Sequence, residues 1–435
     1  MSQLEIRKQE VAMKEYVADL HVHSHHSRAT SKDLTLEGLY EWACIKGIDV
    51  VGTGDFTHPA WYQTLQTKLK PRGNGFFSLI DQPAGVSGIL RQRREVHFCL
   101  TVEVCCIYHY EGRLRKSHHV ICVPDLETAG RLNQRLGRYG NLAADGRPIL
   151  KCSARDLLEI VLESSPDAHL IPAHIWTPWF AILGSRSGYN SVKACFRDLT
   201  SHIFALETGL SSDPAMNWCW TDLDRYTMIS NSDAHSPRNL GREANVLTGE
   251  CSYQAMFEAF KTRKGFAGTL EFFPEEGKYH LDGHRNCQVC FSPEETWQHK
   301  GICPVCQQPL TVGVLHRIRR LADRTQPVRP KGAPSFMHIV PLPEILSEII
   351  GKGVKTKTVT KAYTQAIHAF GNEFDLLRHV PLVDIAQKLG PRCKLAIQRL
   401  RNRQVFRKAG YDGVYGTISL LYEPMSNDVI DASRL

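Results

Sequence analysis

Residues 18–32 read ADLHVHSHHSRATSK, placing His21, His23, His25 and His26 within six positions. In a β-strand, side chains alternate between faces, so His21 and His23 project to one side, with Asp19 on the same face. Two imidazoles one strand period apart can bind one cation if other segments complete the coordination. An isolated pair carries little weight, because a histidine on a strand is more often a satisfied core residue. The meaning of the stretch therefore depends on the strands around it.

Working outward, the first 270 residues repeat one pattern. Short β-rich runs (YVADLHVHS, DVVGTGDF, HFCLTVEVCCIY, SHHVICVP, HLIPAHIW, IFALETGL, YTMISNSDAH) alternate with amphipathic stretches such as LEGLYEWACIKG and SARDLLEIVLESS. That alternation predicts an α/β fold with a mainly parallel sheet, open or closed into a barrel. Such folds gather their sites at the carboxyl ends of strands. Nearly every run carries an Asp, Glu or His at or near its end: Asp55 follows DVVGTG, Glu103 lies inside LTVEV, His118 and His119 open HHVICV, His174 closes LIPAH, Glu207 lies in ALETG, and Asp233 and His235 end ISNSDAH. A helix cap or a core histidine explains any one of them. Independent structural roles do not explain their recurrence at one end of successive strands. Nitrogen and oxygen donors in this number suit two or three divalent ions such as Zn, Mn or Fe. Mg matches imidazole less naturally and is left open as an ion that supports activity.

The 435 residues are enough for two or three domains, and 42% hydrophobic with 23% charged residues is ordinary globular composition. No run approaches the ~20 apolar residues of a membrane span, so a cytoplasmic protein without a membrane partner is expected. Many of the 14 cysteines stand singly in apolar strands, as reduced thiols pack. Four others, Cys287, Cys290, Cys303 and Cys306, form two CxxC pairs twelve residues apart. This spacing predicts one structural Zn held by four thiolates, which leaves no open position for catalysis.

The net charge of +8 is unevenly distributed: residues 314–435 hold 20 Lys+Arg against 10 Asp+Glu. A solvated basic face explains charge alone, whereas a polyanion such as nucleic acid explains its concentration. In PRCKLAIQRLRNRQVFRKAGYDGVYG, Arg399, Arg403 and Arg407 recur every four residues and would share a helix face, with Lys408 beside them. Tyr411 and Tyr415 could stack on bases, although inward packing is the commoner fate of such tyrosines. The expected organisation is thus 1–273, 274–313 (linker and four-cysteine module) and 314–435 (basic, mainly helical, nucleic-acid-binding).

The ordered motifs DLHVHS, TGD, VEV, HHVICV, PAH and SDAH resemble the polymerase-and-histidinol-phosphatase (PHP) superfamily over about residues 15–270. That resemblance implies a distorted (β/α)7 barrel with a multinuclear metal centre. The implied ligands are His21, His23, Asp55, Glu103, His119, His174, Asp233 and His235, with Glu103, His174 and Asp233 carrying catalysis. Thr53-Gly54-Asp55 departs from the Thr-Asp-His of many members, so a carboxylate stands where an imidazole is common. The chemistry implied is attack of metal-activated water on a phosphate ester.

With the cysteine module, the basic tail, ALETGLSSDPAMNW and VLHRIRRLADR included, nearly the whole chain resembles the endonuclease Q family of PHP-domain DNA-repair nucleases. This implies cleavage 5′ to hypoxanthine, uracil or an abasic site in DNA, in concert with repair or replication proteins. Trp61, Phe76, Phe77 and Trp179 are candidates to line a base pocket, though aromatics in such places usually belong to the core. A small-molecule PHP phosphatase leaves the zinc module and basic third unexplained. A non-catalytic DNA-binding scaffold leaves the nearly complete ligand set unexplained. Nothing suggests an oligomer, so a monomer is the default. His25 and His26 fall beyond the strand, and their roles, like those of His118 and Glu207, stay open.

Overall fold

Two pairings set the frame: β1 (Glu15–Asp19) lies parallel to β2 (Val50–Gly52), and β2 lies parallel to β5 (His97–Tyr110). A computed structural model describes residues 14–81, 83, 88–90 and 93–422; the outer ends of the first and last expected domains lie outside the described residues.

From β5 onward the pairing departs from the expected mainly parallel sheet. β5 folds back on β6 (Arg113–Val123) in a long antiparallel hairpin, which turns at Glu111 (φ 49°) and Gly112 (φ 69°). Two consecutive left-handed residues make the tight turn whose twist matches paired strands, so no crossover helix intervenes. β6 then pairs antiparallel with β8 (His169–Pro172). On the other side, β11 (Ala244–Thr248) and β12 (Phe266–Glu271) add antiparallel strands beside β1. The sheet is therefore mixed. β3 (Leu69–Pro71), β4 (Phe77–Leu79) and β7 (Ile149–Leu150) extend it around β5.

β9 (Ala205–Glu207) and β10 (Thr227–Ile229) form a separate parallel pair. The loop after β10 returns to β1 through a bridge between Val22 and Ala234. Asp19 makes this closure: its carboxylate accepts from the backbone N–H groups of Ser232 (3.0 Å) and Gly241 (2.9 Å). It is a buried strut, and burial raises its carboxyl to about 6.

The cysteine module is a small hairpin, β13 (Asp282–His284) and β14 (Val289–Phe291). The chain beyond it does not leave the main body at once. β15 (Ser335–His338) pairs parallel with β12, and only then do helices Leu342–Ile350, Lys357–Phe370, Glu373–Arg378, Leu382–Leu389 and Pro391–Arg401 follow. A last hairpin, β16 (Phe406–Lys408) and β17 (Thr417–Ser419), closes the described chain. This C-terminal region is bolted to the helix Leu36–Lys46 by a buried ion pair, Lys46 Nζ to Glu373 Oε2 at 2.8 Å. The same carboxylate accepts from Tyr363 OH (2.7 Å) and from Leu342 N–H (3.0 Å). Among the described residues no helix is long and apolar enough to cross a membrane.

Candidate metal centre

His21 and His23 lie just past the end of β1 on the face that sequence alternation assigns them, and both are buried. Each ring is oriented through Nδ1. Glu207, at the end of β9, approaches His21 Nδ1 at 3.0 Å and also accepts from His174 N–H and Asn231 Nδ2. Asp55 approaches His23 Nδ1 at 3.3 Å. Carboxylates placed behind imidazoles in this way fix tautomer and direction and leave Nε2 for a metal. His21 Nε2 is buried without a hydrogen-bond partner, as a ligand atom would be.

The two Nε2 atoms converge with Glu103 and Asp233 into one group of donors, all within 4.8 Å of one another. His23 Nε2 is 3.0 Å from Asp233 Oδ1 and 3.4 Å from Glu103 Oε2; His21 Nε2 is 3.5 Å and 3.6 Å from the same two carboxylates. Ligand atoms about 2.1 Å from a shared tetrahedral ion stand about 3.4 Å apart, so the spacing fits Zn-like coordination.

A second group joins Glu103, His118 and His174. Glu103 Oε1 is 2.7 Å from His118 Nδ1 and 3.1 Å from His174 Nε2. Glu103 therefore belongs to both groups, which is the arrangement of a bridging carboxylate. Burial alone would depress His23, yet its bonds to Asp233 and Asp55 hold it up at about 9. Burial would raise Asp233 and Glu103, but the histidines around them keep both carboxyls well below the usual range. A divalent ion bound here would displace the histidine protons.

Several expected ligands stand elsewhere. The HH pair resolves in favour of His118: Cys105 pairs with His118 across the β5–β6 hairpin, placing it on the Glu103 face. His119 projects to the opposite face, where Nε2 meets Ser117 Oγ (2.8 Å), the ring packs on Phe196, and burial lowers it to about 3. Asp55 is outside both donor groups. Its carboxylate accepts from Ser24 N–H, Ser24 Oγ and Ser27 Oγ, so the residue replacing the usual imidazole acts from behind His23. His235 lies beside the centre, its ring 4.6 Å from that of His23 and its Nδ1 on the Asp233 carbonyl. His25 and His26 meet with tilted rings 4.2 Å apart, and His26 stacks on His58, outside the centre.

The sequence reading missed Arg147, whose Nη1 lies 3.1 Å from Glu103 Oε2. It comes from a loop without regular structure, where no periodicity marks it. Trp61, Phe76 and Phe77 are core; Trp179 alone of the four aromatics is exposed.

In the cysteine module, the donors that converge are His284, Cys287, Cys303 and Cys306, with His284 Nδ1 3.4 Å from Cys306 Sγ. Cys290 is exposed and outside this group. The backbone explains the three-residue displacement. His284-Arg-Asn-Cys287 is followed by Gln288 at φ 54°, and Cys303-Pro-Val-Cys306 by Gln307 at φ 59°. Two equivalent knuckles thus face each other, and a Cys3His set is a complete structural zinc site.

The basic residues of the C-terminal third also differ from expectation. The helix stops at Arg401, so Arg403 and Arg407 do not continue the face of Arg399. Arg399 donates to the Leu420 carbonyl, Arg403 to the Phe336 carbonyl, and Arg407 pairs with Glu275 at 2.7 Å. Arg399 and Arg407 act as internal ties, while Arg403 and Lys408 are exposed.

Residues 341–404 match the family model of the MJ0043 C-terminal domain. The Methanocaldococcus jannaschii protein MJ0043 is 31% identical over 252 residues, which cover 56% of this chain and 31% of that protein; the chain matches about a third of that relative's length. Two solved structures align over nearly everything. The lesion-specific endonuclease PfuEndoQ of Pyrococcus furiosus is 31% identical, with 93% of this chain and 95% of that one covered at a TM-score of 0.81. Endonuclease Q in complex with a 27-mer duplex carrying an abasic lesion at its active site is 30% identical, covering 96% and 100%, with a TM-score of 0.80. Likeness of this extent takes in the metal centre, the cysteine module and the helical C-terminal region together, and the chain belongs to the endonuclease Q family, a family of DNA-cleaving hydrolases.

Proposed function

We propose that the protein is a metal-dependent DNA-repair endonuclease that hydrolyses the phosphodiester 5′ to a deaminated base (hypoxanthine or uracil) or an abasic site. The observation that supports it most is Glu103, one buried carboxylate shared by two donor groups. Two or three divalent ions held there would supply Lewis acidity and a water nucleophilic at neutral pH, the needs of phosphodiester hydrolysis. Glu207 and Asp55 keep His21 and His23 aimed, so little reorganisation accompanies the reaction. Arg147, on Glu103 at the edge of the site, offers a fixed positive fork to a phosphate oxygen. A protein thiolate is a poor competitor: burial, with Glu103 beside it, pushes the Cys105 thiol up to about 12. In this reading residues 15–270 form the distorted (β/α)7 PHP barrel. Zn braces the knuckles of the cysteine module, and Arg403 and Lys408, the most exposed of the four expected cations, meet the DNA backbone.

The test is incubation of a duplex carrying a single hypoxanthine with the wild type and with Asp233→Ala. Nicking beside the lesion by the wild type alone supports the reading. Binding without cleavage under any divalent ion, or hydrolysis of small phosphomonoesters but of no DNA, refutes it.

A further inference from the structure

The last tight turn among the described residues, YDGVYG, is built as a rigid projection rather than as a loop. Asp412 (φ 42°) and Gly413 (φ 89°) are both left-handed, and Tyr411 and Val414 exchange both backbone hydrogen bonds, at 3.0 and 2.8 Å. That is the two-residue turn for which Asp-Gly is suited. Its legs are pressed onto residues 275–281. Gly410 N–H donates to the Glu275 carbonyl, Gly413 N–H to the Lys278 carbonyl, and Leu281 N–H to the Gly410 carbonyl. A side chain at Gly410 or Gly416 would collide with the carbonyls of Gly277 or Glu275. Asp412 accepts from Arg285 N–H at 2.7 Å, which ties the turn to the first zinc knuckle.

This anchored turn separates two tyrosines that the sequence leaves equivalent. Tyr411 packs inward against Gly283. Tyr415 is 70% exposed and Val414 is 40% exposed. A large aromatic held in water by a turn with little freedom buries nothing in the protein itself, so its use lies in an external contact.

The surroundings indicate which contact. Lys278 Nζ lies 5.8 Å from the Tyr415 ring and 5.6 Å from the Tyr279 ring; Tyr279 meets Trp179 at 5.7 Å, and Arg186 lies 6.0 Å over Trp179. Three aromatics and two cations thus follow one another along one strip, in the order Tyr415, Lys278, Tyr279, Trp179 and Arg186. The strip begins on the loop after the metal-centre histidine His174. It ends on Tyr415, which lines a cavity of about 520 Å³ shared with Ser236 and Arg242. Arg242 donates to the Ser232 and Asp233 carbonyls, so that cavity adjoins the centre. Arg285 and Lys408 add exposed positive charge beside the turn. Interleaved aromatics and cations are what an unpaired strand needs, a π-face for each base and a positive charge for each phosphate.

We propose that Tyr415, presented by the Asp412–Gly413 turn, is a stacking residue for a DNA base next to the cleaved phosphodiester, with Lys278 on the adjoining phosphate. This rests on the endonuclease reading above and adds a contact to it. Tyr415 acts on DNA placement and not on the metals.

The experiment uses the full-length protein and a lesion duplex whose 5′ linkage is an uncleavable methylphosphonate, with 2-aminopurine beside the lesion. Wild type and Tyr415→Phe should bind alike and quench the 2-aminopurine. Tyr415→Ala should bind about tenfold more weakly and lose the quench, with unchanged thermal stability because the side chain is exposed. Equal affinity and equal quenching by Tyr415→Ala would overturn the stacking role while leaving the endonuclease reading intact, and would assign the tip to a protein partner. No affinity of the wild type for any lesion duplex would overturn both.

Discussion

The two candidate metal sites were written into the chain in opposite ways. The first group takes its donors from His21 to Asp233, across much of the chain: His21 and His23 lie just past β1, Glu103 inside β5 and Asp233 after β10. The cysteine module takes four candidate donors from 23 consecutive residues, 284–306. Intuition favours the local site as the easier to read, yet all four donors of the distributed group are among the expected ligands, whereas His284 of the local group is not. Strand ends constrain which residue points where, because register and alternation leave few options. A knuckle is defined by its left-handed backbone residue, and cysteine spacing alone does not reveal it.

The largest effects should come from attacking each site through its decisive residue. For the zinc module, Cys303→Ser and His284→Ala should each lose a full equivalent of bound Zn and unfold the hairpin, since in such sites binding is folding. Cys290→Ser should retain Zn, as measured by native mass spectrometry. Zn lost from Cys290→Ser and retained by His284→Ala would break the contrast, because the thiolates alone would then form the site.

Next comes Glu103→Gln, which leaves a poor ligand where two groups meet. Nicking should fall about a thousandfold or more, roughly 4 kcal/mol of transition-state stabilisation, while metal analysis shows less than the wild-type content. A smaller loss, about 10- to 100-fold, is expected for Glu207→Gln, which lies outside both donor groups and acts by aiming His21 and holding the His174 backbone N–H. Nicking assays at increasing Mn concentration should partly restore this variant and fail to restore Glu103→Gln.

The smallest effect concerns the cavity between the two regions. Burial raises Glu276 to about 7 and Glu344 to about 7, with the nearby Glu344 adding to the first shift and the nearby Glu373 to the second. The folded protein therefore keeps protons that the unfolded chain releases near the ordinary glutamate value of 4.5, so stability should fall as pH rises from about 4.5 through 7. Glu344→Gln removes that penalty. It should be more stable than the wild type at pH 8, by on the order of 1 kcal/mol after allowance for partial exposure, and equal to it near pH 5. Urea titrations at both pH values measure the difference, and a gain at pH 5 as large as at pH 8 would contradict the assignment.

Legibility followed the same physics. The α/β character, the helical C-terminal region and His21, His23, Glu103, His174 and Asp233 were readable from period-2 runs ending in donors. His118 against His119 was not, because the two are neighbours within β6 and only the β5–β6 register chooses between them. The same hairpin made the sheet mixed, since Glu111-Gly112 reads as an ordinary polar turn and carries no sign of a missing crossover. Arg399, Arg403 and Arg407 misled because a spacing of four is helical only if the helix continues; it ends at Arg401, and Arg403 is left-handed at φ 57°. Arg147 had no pattern to betray it.

The ion pair between Lys46 and Glu373 bears on how divisible this protein is. Both side chains are 2% exposed, and one belongs to the catalytic part while the other belongs to the helical C-terminal part. Removing one partner of such a pair strands a charge in the interior at about 3–5 kcal/mol, a large fraction of a domain's net stability. Gene truncation after β15 would therefore not release an autonomous catalytic domain; it would release one carrying an unpaired lysine. The same holds for exchange of the C-terminal helices between relatives, which would have to transfer residue 46 together with them. The chain has several segments by architecture but is a single unit of inheritance by charge.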